Sequence, residues 1–355
     1  MSRADRVQAR LDGARVDALL VTDLVNLRYL SNFTGTSGLC VIGPDLRRFA
    51  TDFRYLERAA AEVTGFDRER SPTAELLAAL ADGWPPGGLR LGFEDHKLSV
   101  RQHVRLRELV PDRVELVAAG GLVEAERAVK EDAELAAIMA AAGLADAALG
   151  EAIAPGLTGR TEREIAVAYE DAVRARGAAP AFPTIVAAGA NGASPHATPG
   201  DASIAPGVLV TIDFGAQLDG YNSDCTRTYA SGAVGEELQA IYELVLRAQV
   251  AALDAVRPGP EGREVDAVAR EVIVAGDHGE HFGHGLGHGL GLEVHEAPRL
   301  GTTGSDALQA GNVVTVEPGV YVPGLGGVRI EDLVVVTADG SRVLSGHGKE
   351  LTSLG

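Results

Sequence analysis

The chain has 355 residues, is 46% hydrophobic and 23% charged, and carries a formal net charge of −18. That length exceeds one ordinary core and predicts two domains, while the acidity excludes the basic face that nucleic acid requires. Two cysteines, Cys40 and Cys225, cannot frame a disulfide scaffold, the charged N-terminus is no secretory signal, and no apolar run reaches the length of a membrane span, so the expected setting is cytoplasmic.

In chain order, residues 4–12 read as a short amphipathic helix and 18–22 as a buried strand. Residues 26–38 read as a loop with aromatic anchors. Strands follow at 39–42, 49–51, 90–93 and 114–117, with helices at 55–61 and 99–109. This alternation predicts a compact α/β domain over 1–121. His96 and His103 are isolated there and read as surface or structural. Gly120-Gly121 marks the boundary, and 122–355 forms the second domain. A long Ala/Leu/Glu-rich helix spans 122–153, with Val129 and Gly143 as candidate breaks, and Pro155-Gly156 ends it. Thr161-Glu-Arg-Glu164 is a capping box that opens a helix to about residue 175. Residues 180–199 read as a loop holding Asn191 and His196.

The second domain repeats itself. Residues 207–215 (GVLVTIDFG) and 311–319 (GNVVTVEPG) align without a gap at an offset of 104. Each is an apolar strand with a carboxylate at the same step, Asp213 and Glu317. Each lies downstream of a Pro-Gly turn and an acidic helix, which predicts two related α/β halves. Asp213 and Asp224 are equidistant from a turn centred between Leu218 and Asp219, so a simple hairpin sets them face to face with Cβ atoms about 5 Å apart. Glu317 and Glu331 are equidistant from Gly324, across a longer Gly/Pro-rich connection. Facing carboxylates repel, and a shared cation is the natural compensation.

The stretch 281–298, HFGHGLGHGLGLEVHEAP, packs four of the nine histidines among five glycines. A histidine from it completes a set of four carboxylates and one imidazole. Such a set suits two adjacent divalent ions, with Mn²⁺, Co²⁺ or Zn²⁺ favoured by oxygen-rich ligation. Cys225 faces away from Asp224 and reads as packed. His278, His281 and His347 read as loop residues, Asp332 as a strand-end residue, and Arg299 equally as a substrate-carboxylate ligand or surface cover.

Residues 284–296 (HGLGHGLGLEVHE), with Thr211-Ile-Asp213, Asn222-Ser-Asp224-Cys-Thr-Arg227, Val316-Glu317-Pro-Gly319 and Gly327-Val-Arg329-Ile-Glu331-Asp332, resemble the proline-specific branch of the pita-bread metallopeptidases, aminopeptidase P and prolidase. Residues 26–38 and 51–55 resemble the creatinase-type N-terminal domain of those enzymes. The resemblance implies an α+β protein: a smaller N-terminal α/β domain and a pita-bread domain of two pseudo-symmetric α/β halves. It implies five metal ligands, Asp213, Asp224, His288, Glu317 and Glu331, holding two ions, most simply Mn²⁺. Glu317 would shuttle the proton of a metal-bridging hydroxide, and His284 would line a proline pocket. His196 and His295 would hydrogen-bond substrate and tetrahedral intermediate, while Arg329 would steady the acids. The expected reaction is Xaa-Pro aminopeptidase hydrolysis of peptides by a homodimer. The alternative is Xaa-Pro dipeptidase action with Arg299 on the free carboxylate. More remote are a methionine aminopeptidase-like enzyme and a non-catalytic interaction module of the same fold.

Overall fold

The computed structural model describes residues 1–72 and 75–355, which divide into two compact units, Met1–Arg127 and Ala128–Gly355. In the first, the buried strand Ala18–Val21 lies inside a six-stranded sheet. The sheet order is Asp67–Arg70, Leu46–Thr51, Gly38–Gly43, Ala18–Val21, Leu89–Phe93, Val114–Ala118. Leu20, Val41, Leu91 and Leu106 form part of its core. The expected loop at 26–38 is partly helix, Leu24–Ser31. Asp23 caps its start by accepting from Val25 N, and Asn32 ends it in the left-handed conformation at φ 62°. The edge strand Asp67–Arg70 escaped the sequence reading because its residues, Asp-Arg-Glu-Arg, hold no apolar alternation.

The expected helix 122–153 is two helices, Leu122–Arg127 and Asp132–Ile153, the former belonging to the first unit. The break falls at Val129 and not at Gly143. Val129 bridges to Asn312 and Lys130 N–H donates to Gly311 O at 2.8 Å, diverting the backbone to a neighbouring strand. Glu131 and Glu134 then form a capping box that restarts the helix. Contrary to the expectation that no run is long enough, Asp132–Ile153 has the length and apolarity of a membrane span. Its Ala141, Ala145, Ala148, Leu149 and Ala152 are instead spent on the protein core.

The duplication is visible in the elements of the second unit. Helix Asp132–Ile153, a turn at Gly156 (φ 90°) and the 14-residue helix Glu162–Ala175 precede strand Leu209–Phe214. Helix Glu236–Ala255, a turn at Gly259 (φ 112°) and the 14-residue helix Gly262–Ala275 precede strand Val313–Val316. Each strand is central: Leu209–Phe214 lies between Ile185–Ala188 and Cys225–Ala230, and Val313–Val316 between Gly287–Gly289 and Asp332–Val336. Each half has its own apolar core, one around Ile165, Tyr169, Ile212 and Phe214, the other around Val265, Ile273, Val314 and Val334. The expected loop at 180–199 thus contributes the strand Ile185–Ala188 and a 3₁₀ turn, Gly189–Ala193.

Register decides where the acids stand. Thr226 pairs with Asp213 and Cys225 with Phe214, so the first hairpin turns one residue later than expected, at Asp219-Gly220. Both turn residues have positive φ, 48° and 79°, as a two-residue hairpin loop needs. Asp224 is therefore diagonal to Asp213 instead of facing it. In the second half Val316 pairs with Asp332 and Gly319 with Arg329, which keeps Glu317 opposite Glu331 about Gly324. The ladder opens between those pairs: Glu317 N–H donates to Leu286 O and Glu331 N–H to Thr226 O. Glu317 is thereby tied to the His/Gly stretch and Glu331 to the first half.

Candidate active site

Three ligand-type atoms, from Asp224, His288 and Glu331, lie within 4.8 Å of one another. His288 joins Glu317 to this cluster, its Nε2 lying 3.3 Å from Glu317 Oε1 and 3.7 Å from Asp224 Oδ2. Asp213 adjoins through Arg329, whose Nη2 donates to Asp213 Oδ2 at 2.7 Å. All five residues line one cavity of about 710 Å³, together with His196, His284, His295, Arg299, Tyr321 and Arg329.

The glycines of the His/Gly stretch are explained by close approach of backbones, not by unusual dihedrals. A Cβ at Gly287 would lie 2.0 Å from Thr315 O, and one at Gly289 would lie 2.1 Å from Ala297 O. Their absence lets the strand carrying His288 press between two neighbours. Asp266 and Arg270 hold the preceding turn: Arg270 donates to Phe282 O and His284 O at 2.9 Å each, and Asp266 accepts from Leu286 N.

Four carboxylates, Asp224 and Glu331 buried and Asp213 and Glu317 largely so, would be costly without a cation, and the titration directions record it. Burial, then repulsion from neighbouring acids, pushes Asp224 and Glu331 well above the usual carboxylate range. Burial raises Asp213 as well, against the pull of Arg329. At Glu317 burial is outweighed by the hydrogen bond and charge of His288, which lower it. At His288 burial opposes the imidazolium, but Glu317 prevails and raises it.

The donor set fits a divalent cation. His288 Nδ1 lies 3.1 Å from Gly289 O, an acceptor only, so Nδ1 carries the hydrogen and Nε2 faces the acids. Glu331 Oε2 accepts from Thr226, and Asp213 Oδ2 from Arg329. Their other oxygens, Glu331 Oε1 and Asp213 Oδ1, are buried without a hydrogen-bond partner among the described residues. One oxygen anchored and one bare is what a carboxylate ligand needs.

The histidines separate by their nitrogens. His284 Nδ1 is 2.8 Å from Gly285 O and Nε2 is 2.9 Å from Tyr321 Oη, which in turn accepts from Arg329 Nη1 at 2.9 Å. Both nitrogens are thus spent, and burial lowers this imidazole below its ordinary range. The rings of His196 and His295 also border the cavity and make no hydrogen bond among the described residues. The His295 ring lies 4.3 Å from that of His288. Arg299 lines the same cavity, and its guanidinium forms no ion pair among the described residues.

Several expectations concern residues outside this group. Asp332 is fully engaged by Arg227 at 2.7 Å, Lys349 at 2.7 Å and Gln249 at 2.9 Å, which leaves it no role as a ligand. Cys225 is buried, its thiol against Glu331 O. His278 and His281 meet each other at 3.1 Å, and His347 contacts Asp146 O. Sequence reasoning missed Tyr321, Thr226 and Thr315. Thr226 lies inside the Asn222–Arg227 motif, but hydroxyls carry no signal of their own without the register that aims them.

The model of metallopeptidase family M24 matches residues 135–338, and that of the creatinase/prolidase N-terminal domain matches residues 3–129. The chain belongs to metallopeptidase family M24. An Xaa-Pro dipeptidase of Pyrococcus horikoshii is 34% identical to this M24 chain, over 96% of each. Among solved structures, an Xaa-Pro dipeptidase from Bacillus anthracis superimposes with a TM-score of 0.94 at 37% identity, covering 99% of each chain. An X-Pro aminopeptidase from Thermotoga maritima does so with a TM-score of 0.88 at 31% identity, covering 99% of this chain and 100% of that one. M24 membership implies divalent metal ions, in keeping with the cluster of Asp224, His288 and Glu331.

Proposed function

We propose that this M24 enzyme is an Xaa-Pro dipeptidase that binds two divalent ions through Asp213, Asp224, His288, Glu317 and Glu331. The order of the two subclasses is reversed from the sequence expectation. The relatives of 34% and 37% identity described above are Xaa-Pro dipeptidases, against 31% for the X-Pro aminopeptidase. The observation that carries the choice is the unpaired Arg299 guanidinium on the cavity wall. A dipeptide presents a free carboxylate one residue beyond the scissile bond, and an arginine binds it in a bidentate manner.

When bound, the ions supply Lewis acidity toward the scissile carbonyl and an acidified water. The chain's own residues do the rest. Glu317 takes the proton of the attacking water and delivers it to the proline nitrogen as the C–N bond breaks. His295 and His196, with free ring nitrogens, donate to the carbonyl oxygen as it gains charge. His284, neutral and with both nitrogens occupied, offers its ring to the pyrrolidine as an apolar wall.

A substrate-length series tests the reading. Arg299→Ala should raise KM for Leu-Pro by about 10- to 100-fold, the worth of a charge-assisted hydrogen bond, and leave Leu-Pro-Gly turnover at the parent's level. Faster parent cleavage of the tripeptide than of the dipeptide would return the aminopeptidase reading to first place.

A further inference from the structure

Two buried threonine hydroxyls, one on a strand of each half, repeat one device. Thr226 and Thr315 are both wholly inaccessible to solvent. Arg329 Nε, which can only donate, points at Thr226 Oγ1 from 3.0 Å, and Thr226 Oγ1 lies 2.7 Å from Glu331 Oε2. The backbone N–H of His288, likewise only a donor, points at Thr315 Oγ1 from 3.1 Å, and Thr315 Oγ1 lies 3.1 Å from Glu317 Oε1. In each case an obligate donor takes one lone pair of the hydroxyl, and the ionised carboxylate that a metal ion requires can only accept. Its single hydrogen is therefore directed to the carboxylate.

The consequence is the same on both sides. A hydroxyl that donates to a carboxylate occupies one of its two oxygens and fixes the rotation of the group. The opposite oxygen is left over: Glu331 Oε1 is buried with no hydrogen-bond partner among the described residues. Thr228 provides the contrast on the same strand. It is equally buried, but its hydroxyl serves Thr211 and Arg329 O and touches no carboxylate.

We propose that Thr226 and Thr315 are positioning residues that aim Glu331 and Glu317 at the metal ions, Thr226 under the control of Arg329 and Thr315 under that of the His288 backbone. This rests on the two-metal reading of the site.

The test titrates chelator-stripped, full-length protein with Mn²⁺ by calorimetry, so the readout is affinity and stoichiometry, not turnover. Thr226→Val and Thr315→Val keep the shape and remove the hydroxyl; Thr226→Ser and Thr315→Ser keep the hydroxyl. The valine variants should fold with the parent's circular dichroism and bind Mn²⁺ about 10- to 100-fold more weakly. The serine variants should stay within about threefold, and Thr228→Val should match the parent. Parent-like affinity in both valine variants would overturn the proposal, as would an equal loss in Thr228→Val, which would trace the effect to strand packing. A parent protein that binds no Mn²⁺ would instead remove the two-metal reading, and the proposal with it.

Discussion

Arg329 Nη2 donates to Asp213 Oδ2 across 2.7 Å in a setting where both side chains are largely buried. The same guanidinium reaches Thr226 through Nε, Tyr321 Oη through Nη1 and Pro195 O, next to His196. One cation thus ties an acid of the first half to strands of the second and to the loop that carries a cavity histidine. At a pH where Asp213 is ionised, removing it leaves Asp213 as an uncompensated, largely buried charge. Arg329→Met should cost about 3–5 kcal/mol in denaturant-induced unfolding of the metal-free protein. A change within about 0.5 kcal/mol, the range of an ordinary surface substitution, would contradict this account.

Metal uptake should release protons. Asp213, Asp224 and Glu331 are raised by burial first, and His288 is raised by Glu317 once burial is overcome. In the metal-free protein these four groups hold protons at a pH where free carboxylates and imidazole have lost theirs. A cation must displace those protons, so affinity rises with pH until the raised values are passed. By the same sign, the folded metal-free chain binds more protons at these groups than the unfolded chain. Their contribution to stability therefore falls as pH rises from the ordinary carboxylate range through the raised values. Calorimetry at about pH 6 and about pH 8, in buffers of different ionisation enthalpy, should show tighter Mn²⁺ binding at the higher pH with net proton release at the lower. Equal affinity and no buffer dependence would refute it.

Glu317→Gln keeps the size of the side chain but can neither take nor deliver the proton. It should lower kcat by about 10²- to 10⁴-fold, with far-ultraviolet circular dichroism unchanged. Near-normal turnover in metal-analysed protein would remove Glu317 from the proton path.

The glycines of the His/Gly stretch should not be equivalent. A Cβ at Gly287 meets Thr315 O at 2.0 Å, whereas one at Gly283 meets nothing within 4 Å. Gly287→Ala should cost about 1–3 kcal/mol or more and weaken metal binding by displacing His288. Gly283→Ala should leave thermal unfolding and activity near the parent's. Similar behaviour of the two would mean that close approach is not what the glycines provide.

Much of this was legible in the residues alone. The gap-free repeat at an offset of 104, with an acid at the same step, announced two related halves, because duplicated strands need the same apolar spacing to bury the same faces. Charged residues on apolar strands announced buried carboxylates, and so a cation. Symmetry about Gly324 put Glu317 opposite Glu331, as the register has it. The same reasoning failed at Asp213 and Asp224, because a two-residue turn at Asp219-Gly220 moves the hairpin centre by one residue. Turn geometry, not strand pattern, sets that number.

What the sequence determined by itself was composition at a distance: which residue types the chain owns, in what order, and the periodicities that make them strands or helices. Only the tertiary structure decided direction. It spent both nitrogens of His284 on Gly285 and Tyr321, engaged Asp332 with Arg227, Gln249 and Lys349, and aimed two threonine hydroxyls at Glu331 and Glu317. A hydrogen bond depends on the angle and partner of one atom, and partners about 100 residues apart along the chain are set by packing and register, which no local pattern encodes.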